Sequence, residues 1–372
     1  MTDSRYRSAF LDWLACAARG RSEPAARAAA TLGDPVAAVA TAGHVLDFDD
    51  TYLPGLAHLS APSAPAALVV GAEQGRTLED VLGAYAEGFE AMGAVARAGH
   101  PALYDGHYHP TAVCGGVGAA VAAAALLDLG EAERDNAVAI ALVGAAGLRA
   151  AFGSHGKSLQ VGLAAASGAR AARLAQAGAR VPLDRAARGF AQATGGAYER
   201  PEASAPAIAE NWIKAWPCCL QTHGAIEAAT RAGEPRGLTV TVHPVSLQAA
   251  AYGPRPADGL EAKFSIPYCT AWTLLRGPPR VESFEEVDAA VCELAERIEV
   301  ETHAGLLESE CVLSADGREL ARVQAALGSP GQPMDEDKLA AKVDDLAGSW
   351  LSDLVHDRAR PAGDVLARVA GS

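Results

Sequence analysis

Residues 78–95 read LEDVLGAYAEGFEAMGAV, and their spacing is typical of the first half of the chain. The larger apolar residues recur every three or four positions, so that they fall on one stripe of an α-helix: Leu78, Val81, Leu82, Tyr85, Phe89, Met92 and Val95. Thr77 and Asp80 at the start match a capping box. The stretch therefore predicts a long amphipathic helix with one face in a core.

The same helical spacing continues from residue 4 to about residue 196. Further helices are predicted at residues 5–18, 35–50, 111–128, 131–146, 157–176 and 218–232. Alanine and glycine dominate the faces of these helices, which permits close helix packing. No glycine-rich phosphate loop follows a predicted strand, so the sequence gives no support to a dinucleotide-binding fold.

The pattern changes from helical spacing to alternation after Pro235. Three short runs predict strands at residues 238–242, 297–301 and 310–313. Asp316-Gly317 separates two apolar runs and predicts a hairpin turn.

Helical spacing resumes at residue 335. We therefore predict a mainly α protein with two domains. The larger, all-helical domain comprises residues 1–233 together with 335–372, and the smaller α+β lid domain comprises residues 234–334.

Composition excludes several classes of function. The 372 residues carry a formal net charge of −14, whereas nucleic-acid binding needs clustered Lys and Arg. The seven cysteines have neither disulfide-framework nor zinc-site spacing, which fits a reducing cytoplasm. The N-terminus lacks the apolar core of a signal peptide, and the apolar run at 112–127 is too short to predict a membrane span. We expect a cytoplasmic protein without nucleic-acid or membrane partners.

Lysine is scarce, because nearly all the basic charge is arginine. The lysines are Lys157, Lys214, Lys263, Lys338 and Lys342. A lysine that persists in such a chain is a candidate for chemistry, since ammonium is a compact point charge with a tunable pKa. The alternative is a solvated surface position, which the acidic stretch at 335–345 favours for Lys338 and Lys342.

Four segments place ionisable residues in otherwise apolar helical sequence. They are residues 44–51 followed by His58, residues 107–111, residues 153–158 and residues 214–219. Each also has a structural interpretation as a helix cap, a terminal turn or a hinge. In the first, Asp47 and Thr51 share a helix face if the helix continues. In the third, Lys157 lies at the positive end of a helix dipole, where a bound carboxylate would compensate its charge.

These motifs, in this order, resemble the MmgE/PrpD family over almost the whole chain. The resemblance depends on LDWLACA at 11–17, HVLDFDDT at 44–51, SAP at 60–62, HPT at 109–111, GSHGK at 153–157, KAWPCC at 214–219 and EAKFSIPY at 261–268. The family includes 2-methylcitrate dehydratase, cis-aconitate decarboxylase and an iminodisuccinate epimerase. It implies a helical domain with a lid domain, usually in a homodimer, and a small polycarboxylate substrate handled without cofactor or metal.

The resemblance also implies a set of pocket residues. Matching motifs place them at Asp47, Thr51, His58, His109, Lys157, Lys214 and Tyr268. Removing a proton next to a carboxylate requires a base, together with cations or hydrogen-bond donors for the charge that develops. On this hypothesis Lys157 and Lys214 hold substrate carboxylates. His109 or His58 exchanges the proton.

The remaining roles follow from the same hypothesis. Thr51, positioned by Asp47, would orient the leaving group, and Tyr268 would arrive from the lid domain when the domains close. Three functions stay open. They are a hydro-lyase acting on a 2-hydroxy tricarboxylate, an epimerase, isomerase or decarboxylase acting on a related substrate, and a non-catalytic binding or scaffold protein.

Overall fold

The computed structural model describes residues 3–232 and 237–371, and these residues are mainly helical. The predicted boundary at 233 and 234, like Pro235, lies outside the described residues. The first helices are α1 (Ser4–Gly20), α2 (Pro24–Ala30), α3 (Pro35–His44), α4 (Ser60–Glu73), α5 (Leu78–Gly99), α6 (Ala102–Asp105), α7 (Pro110–Leu126), α8 (Glu131–Val143), α9 (Gly156–Gln176), α10 (Leu183–Thr194) and α11 (Leu220–Thr230).

The second half of the chain adds shorter elements. Its helices are α12 (Pro244–Ala249), α13 (Gly259–Ala262), α14 (Ile266–Arg276), α15 (Ala289–Ala295), α16 (Glu336–Ala347), α17 (Trp350–His356) and α18 (Ala362–Ala370). The strands are β1 (Thr51–Tyr52), β2 (Asn211–Trp212), β3 (Leu238–Val242), β4 (Ile298–Thr302), β5 (Cys311–Ala315) and β6 (Arg318–Val323). No helix of the described ranges is both long and apolar enough to cross a membrane.

Helix α5 confirms the prediction from its apolar stripe, and both hydrogen bonds of the Thr77 and Asp80 capping box are present. Five of the other six predicted helices are confirmed as α1, α7, α8, α9 and α11, with ends shifted by at most three residues. Helix α7 lies at the centre, packed against α4, α5, α8 and α9. Small residues make this packing possible, because a Cβ built at Gly168 would lie 2.3 Å from the Gly116 carbonyl oxygen.

The predicted strands form one four-stranded sheet in the order β4-β3-β5-β6. Strand β3 pairs parallel with β4 and antiparallel with β5, and β5 and β6 form the predicted hairpin. Asp316 and Gly317 both have positive φ, at 48° and 76°, as a type I′ turn requires. The sheet buries Val240 and Leu313 against α11 and α14 in a second hydrophobic core.

The C-terminal helices return to the first helices of the chain. Helix α16 packs against α1, and α18 packs against α4 and α1. Their apolar residues Val343 and Val365 therefore belong to the same core as Trp13 and Leu68, and not to the core beneath the sheet.

One predicted helix is confirmed at its start, Pro35, but its predicted end is wrong. A helix over 35–50 was expected, but α3 ends at His44, and Asp47 has a φ of 54° that no right-handed helix accommodates. Asp47 and Thr51 therefore do not share a helix face, because Thr51 instead begins β1. The segment that follows α3 contains the residues that build the site.

Candidate active site

Six of the seven predicted site residues line one pocket. They are Asp47, Thr51, His58, His109, Lys157 and Lys214. The pocket lies where the helical core meets the second core, so that its wall also includes Leu220 and Phe264. Its volume is about 50 Å³, which holds only a few water molecules. A larger molecule can therefore enter only if these walls move apart.

Tyr268, the seventh residue, does not line this pocket. It lies in the first turn of α14, where its ring is fully buried in the second core against Trp272. The hydroxyl oxygen accepts a hydrogen bond from the backbone N–H of Asp288 at 3.1 Å, at the start of α15. In this structure Tyr268 therefore lies outside the pocket, since core packing directs its side chain elsewhere.

Three buried lysines explain why α3 ends where it does. Lys263, Lys214 and Lys342 donate to the successive backbone carbonyls of residues 46, 47 and 48, at 2.8, 2.9 and 2.8 Å. These hydrogen bonds satisfy backbone carbonyls that lie beyond the end of α3, and they hold the turn that contains Asp47. The surface position expected for Lys342 is wrong, because it is buried and also pairs with Asp12 at 2.6 Å. Lys338 is largely exposed, as predicted.

Asp47 lies between the two lysines that the sequence singled out. Its Oδ1 is 2.8 Å from Lys214 Nζ and 3.1 Å from Lys157 Nζ. Burial alone would raise the pKa of Asp47, but the two ammonium groups outweigh burial and hold the pKa well below its usual range. Asp47 thus supplies the compensating carboxylate that the position of Lys157 at the start of α9 requires.

The two lysines differ in what they offer to a ligand. Lys214 uses all three of its N–H donors internally, on Asp47 O, Asp47 Oδ1 and Cys218 O. Burial lowers its pKa, but Asp47 and Asp49 overcome this and raise it. Lys157 donates to His44 Nε2 at 2.9 Å and to Asp47 Oδ1. Its third N–H has no acceptor within the described parts of the chain, so of these two lysines Lys157 has a donor left for a ligand.

A second carboxylate, Asp49, lies between two histidines. Its Oδ2 is 2.8 Å from His44 Nδ1 and 3.2 Å from His58 Nδ1, so it favours a proton on both of these nitrogens. Burial, opposed by Asp49, lowers the pKa of His58 to about 3 and leaves its ring neutral. Thr51 Oγ1 lies 3.5 Å from His58 Nδ1, and is therefore placed beside His58 instead of being positioned by Asp47.

His44, Asp49 and His58 also place one ligand atom each within 4.8 Å of one another, which is close enough for a metal ion. Two features of the chain oppose a cation there. Both imidazoles are directed at Asp49 as donors, and the ammonium of Lys157 lies 2.9 Å from His44 Nε2. The donor set therefore fits a hydrogen-bonded acid–base cluster better than a metal centre.

His109 forms the opposite wall at the N-terminus of α7. Its ring packs edge-on against Phe152, with centroids 5.0 Å apart, and its Nδ1 lies 2.6 Å from Gln160 Nε2. Burial, followed by the charge of Lys157, keeps the pKa of His109 well below its usual range. His109 is therefore a second neutral imidazole in the pocket.

Sequence reasoning missed two polar lining residues, Tyr104 and Gln221. Among the described residues, neither the Tyr104 O–H nor Gln221 Nε2 has a hydrogen-bond acceptor, although both are buried. Ser246 donates to Gln221 Oε1 at 3.0 Å, which leaves the amide N–H groups for a ligand. Gln221 lies two residues after the KAWPCC motif, and Tyr104 lies five residues before HPT. The sequence could therefore have indicated both residues only as polar residues close to a motif.

The neighbouring carboxyl of Asp50 predicts a pH-dependent stability. Burial, reinforced by the charges of Asp49 and Asp12, raises the pKa of Asp50 to about 8. The folded protein therefore holds a proton that the unfolded chain releases above about pH 4. The contribution of this group is complete at low pH and is lost as the pH rises towards 8, by on the order of 1 kcal/mol per pH unit.

Asp50→Asn mimics the protonated side chain and should remove this dependence. In urea unfolding between about pH 5 and about pH 8, the variant should gain stability relative to wild type as the pH rises. Parallel stability curves for the two proteins would contradict the assignment.

Two family models match the chain. The MmgE/PrpD N-terminal domain matches residues 34–200, and the MmgE/PrpD C-terminal domain matches residues 216–362. A curated relative, the cis-aconitate decarboxylase of Aspergillus terreus, is 27% identical over 369 residues, which covers 85% of this chain and 75% of the relative.

Proposed function

The chain belongs to the MmgE/PrpD family, and from this premise we propose that it is a cofactor-independent lyase. Its substrate is a small di- or tricarboxylate, and its first step removes a proton next to a carboxylate. One observation carries the proposal. A neutral His58 and a Lys157 with an unused N–H line the same small pocket.

His58 is the base in this proposal. The Asp49 carboxylate favours a proton on His58 Nδ1, which leaves the Nε2 lone pair to accept the substrate proton. A bound polycarboxylate brings negative charge next to the ring and raises its pKa towards the working range. The low pKa of His58 is therefore compatible with its role as the base, because the bound substrate raises that pKa.

The remaining groups recognise the substrate anion. Lys157 takes one carboxylate with its third N–H, where it also stabilises the enediolate-like charge that develops. Tyr104 Oη and Gln221 Nε2 are buried donors without acceptors in the ranges described, and a second carboxylate or a hydroxyl satisfies them. Because the pocket holds only a few waters as it stands, binding requires the two cores to separate and close again.

Two outcomes of the same first step are to be distinguished, and a third reaction starts differently. After proton removal, loss of hydroxide gives a hydro-lyase such as 2-methylcitrate dehydratase, whereas return of the proton gives an epimerase or isomerase. In a decarboxylase no proton is removed first, because departing carbon dioxide leaves its electron pair on carbon and the site then supplies a proton. The cis-aconitate decarboxylase of Aspergillus terreus, at 27% identity, is the observation that favours the last as second candidate.

A panel of di- and tricarboxylates should first be tested for thermal stabilisation, because a ligand that binds only the folded state raises Tm. Stabilising compounds are then followed by proton NMR in deuterated water. A new alkene without carbon dioxide release identifies the hydro-lyase, deuterium incorporation without net loss identifies the epimerase, and carbon dioxide release identifies the decarboxylase. Binding without exchange or turnover would contradict the proposal and favour a non-catalytic protein.

Tyr104→Phe tests the recognition of the anion. The variant removes one hydroxyl from a buried wall and keeps the ring that Arg149 covers at 4.1 Å. We expect KM to rise by about 10- to 150-fold, as for a lost hydrogen bond to a charged group, with a smaller change in kcat. An unchanged KM would show that Tyr104 does not contact the substrate. Tyr198→Phe, outside the pocket, is the matched control.

We also propose a homodimer, as the family resemblance implies. Light scattering should then give about twice the chain mass of 38.0 kDa. A monomer at micromolar concentration would exclude it.

A further inference from the structure

We infer that Gln160 is a positioning residue that holds His109 as a neutral hydrogen-bond donor, with its proton on Nε2. His109 therefore polarises the substrate carboxylate and does not remove the proton. The position of the His109 proton follows from hydrogen bonds alone, whereas the role of that proton in catalysis rests on the proposed function.

The orientation of the Gln160 amide is fixed by the backbone of Leu148. Gln160 Oε1 accepts from the N–H of Leu148 at 3.0 Å, and Gln160 Nε2 donates to the carbonyl oxygen of Leu148 at 3.2 Å. Turning the amide over would place oxygen against oxygen and N–H against N–H. The group 2.6 Å from His109 Nδ1 is therefore the amide nitrogen, which has only protons to offer.

A donor at His109 Nδ1 decides where the imidazole proton lies. Because the amide N–H donates, Nδ1 must accept with its lone pair, and the single proton of the neutral ring is on Nε2. Two further features keep the ring neutral. The positive end of α7 and the ammonium of Lys157 both disfavour an imidazolium.

The two pocket histidines are thus held in opposite states. Asp49 favours the proton of His58 on Nδ1, which leaves the lone pair on Nε2, whereas Gln160 makes His109 Nε2 a donor. A neutral imidazole can stabilise an enediolate oxygen by hydrogen bonding without giving up its proton. We therefore assign the role of base to His58 and the role of hydrogen-bond donor to His109, an assignment that the sequence left open.

Nitrogen NMR of the full-length protein labelled at histidine tests the assignment without substrate. Protonated and unprotonated ring nitrogens have well-separated shifts, and the His109 signals are those lost in His109→Asn. We expect His109 to be protonated on Nε2 and His44, which donates from Nδ1 to Asp49, to be protonated on Nδ1. His109 protonated on Nδ1 in the wild-type protein would overturn the inference.

Gln160→Glu replaces the donor by an acceptor of equal size, and should move the His109 proton to Nδ1. Gln160→Met removes the donor without adding an acceptor, so that both tautomers should be populated. The His44 signals should stay unchanged in both variants, which controls for the fold. Retention of the Nε2 proton in Gln160→Glu would show that Gln160 does not set the tautomer.

Measurements of turnover then test whether His109 acts as a hydrogen-bond donor in catalysis. Gln160→Glu should lower kcat by about 100-fold, as for loss of one donor to a developing oxyanion, with a small change in KM. If the proton moves and kcat does not fall, the donor role of His109 is wrong. If no carboxylate is turned over by the wild-type protein, the proposed function fails, while the NMR result on Gln160 still stands or falls by itself.

Discussion

Replacing Lys157 by methionine is expected to lower kcat/KM by about 30- to 1000-fold, the effect of removing one contact to a developing oxyanion. Lys157 Nζ is held by His44 and Asp47, beside the stacked rings of Phe152 and Phe264, and keeps one N–H for the substrate. Methionine has a similar shape but no charge. The fold should persist, because Lys214 still neutralises Asp47.

The matched control is Lys338→Met, because Lys338 is largely exposed and outside the pocket. It should leave kcat/KM unchanged. Steady-state kinetics on the substrate identified in the carboxylate screen gives kcat/KM for both variants and for wild type. Circular dichroism verifies that the variants are folded. A Lys157→Met variant as active as wild type would exclude the anion-holding role, and with it the main support for a polycarboxylate substrate.

The helices of the first core could be predicted because their apolar residues recur with a fixed period, as in α5. The hairpin was also predictable, since Asp316-Gly317 adopts positive φ at low cost. Helix α4 was not predicted, because Pro65 inside it argues against a helix. The end of α3 depends on lysines more than 160 residues away in sequence, and no local pattern contains that information.

Six of the predicted site residues line one pocket and Tyr268 does not, and helix packing accounts for both results. Motifs 44–51, 109–111, 153–157 and 214–219 each lie at an end of α3, α7, α9 or α11, and these helix ends meet at one pocket. Tyr268 belongs to a similar motif, but its side-chain direction is set by core packing that the motif does not encode. Lys342 appeared solvated because its neighbours are acidic, whereas its own position on α16 faces α1.

Asp47→Asn is expected to destabilise the folded protein by about 3–5 kcal/mol, the usual cost of removing one partner from a buried ion pair. Asp47 is the carboxylate nearest to both Lys157 and Lys214, and these side chains are buried. An asparagine keeps the size and one acceptor oxygen but not the charge. Two ammonium groups then remain in a pocket with little water, and among the described residues neither has another carboxylate in contact.

Urea unfolding at neutral pH measures the change, and two further variants define its cause. Asp105→Asn removes an exposed carboxylate and should change stability by less than about 0.5 kcal/mol. Asp47→Asn combined with Lys214→Met removes one of the uncompensated charges and should recover part of the loss. If Asp47→Asn alone unfolds at the same urea concentration as wild type, Asp47 is not what holds the two ammonium groups together. Its position between them would then serve the substrate instead of the fold.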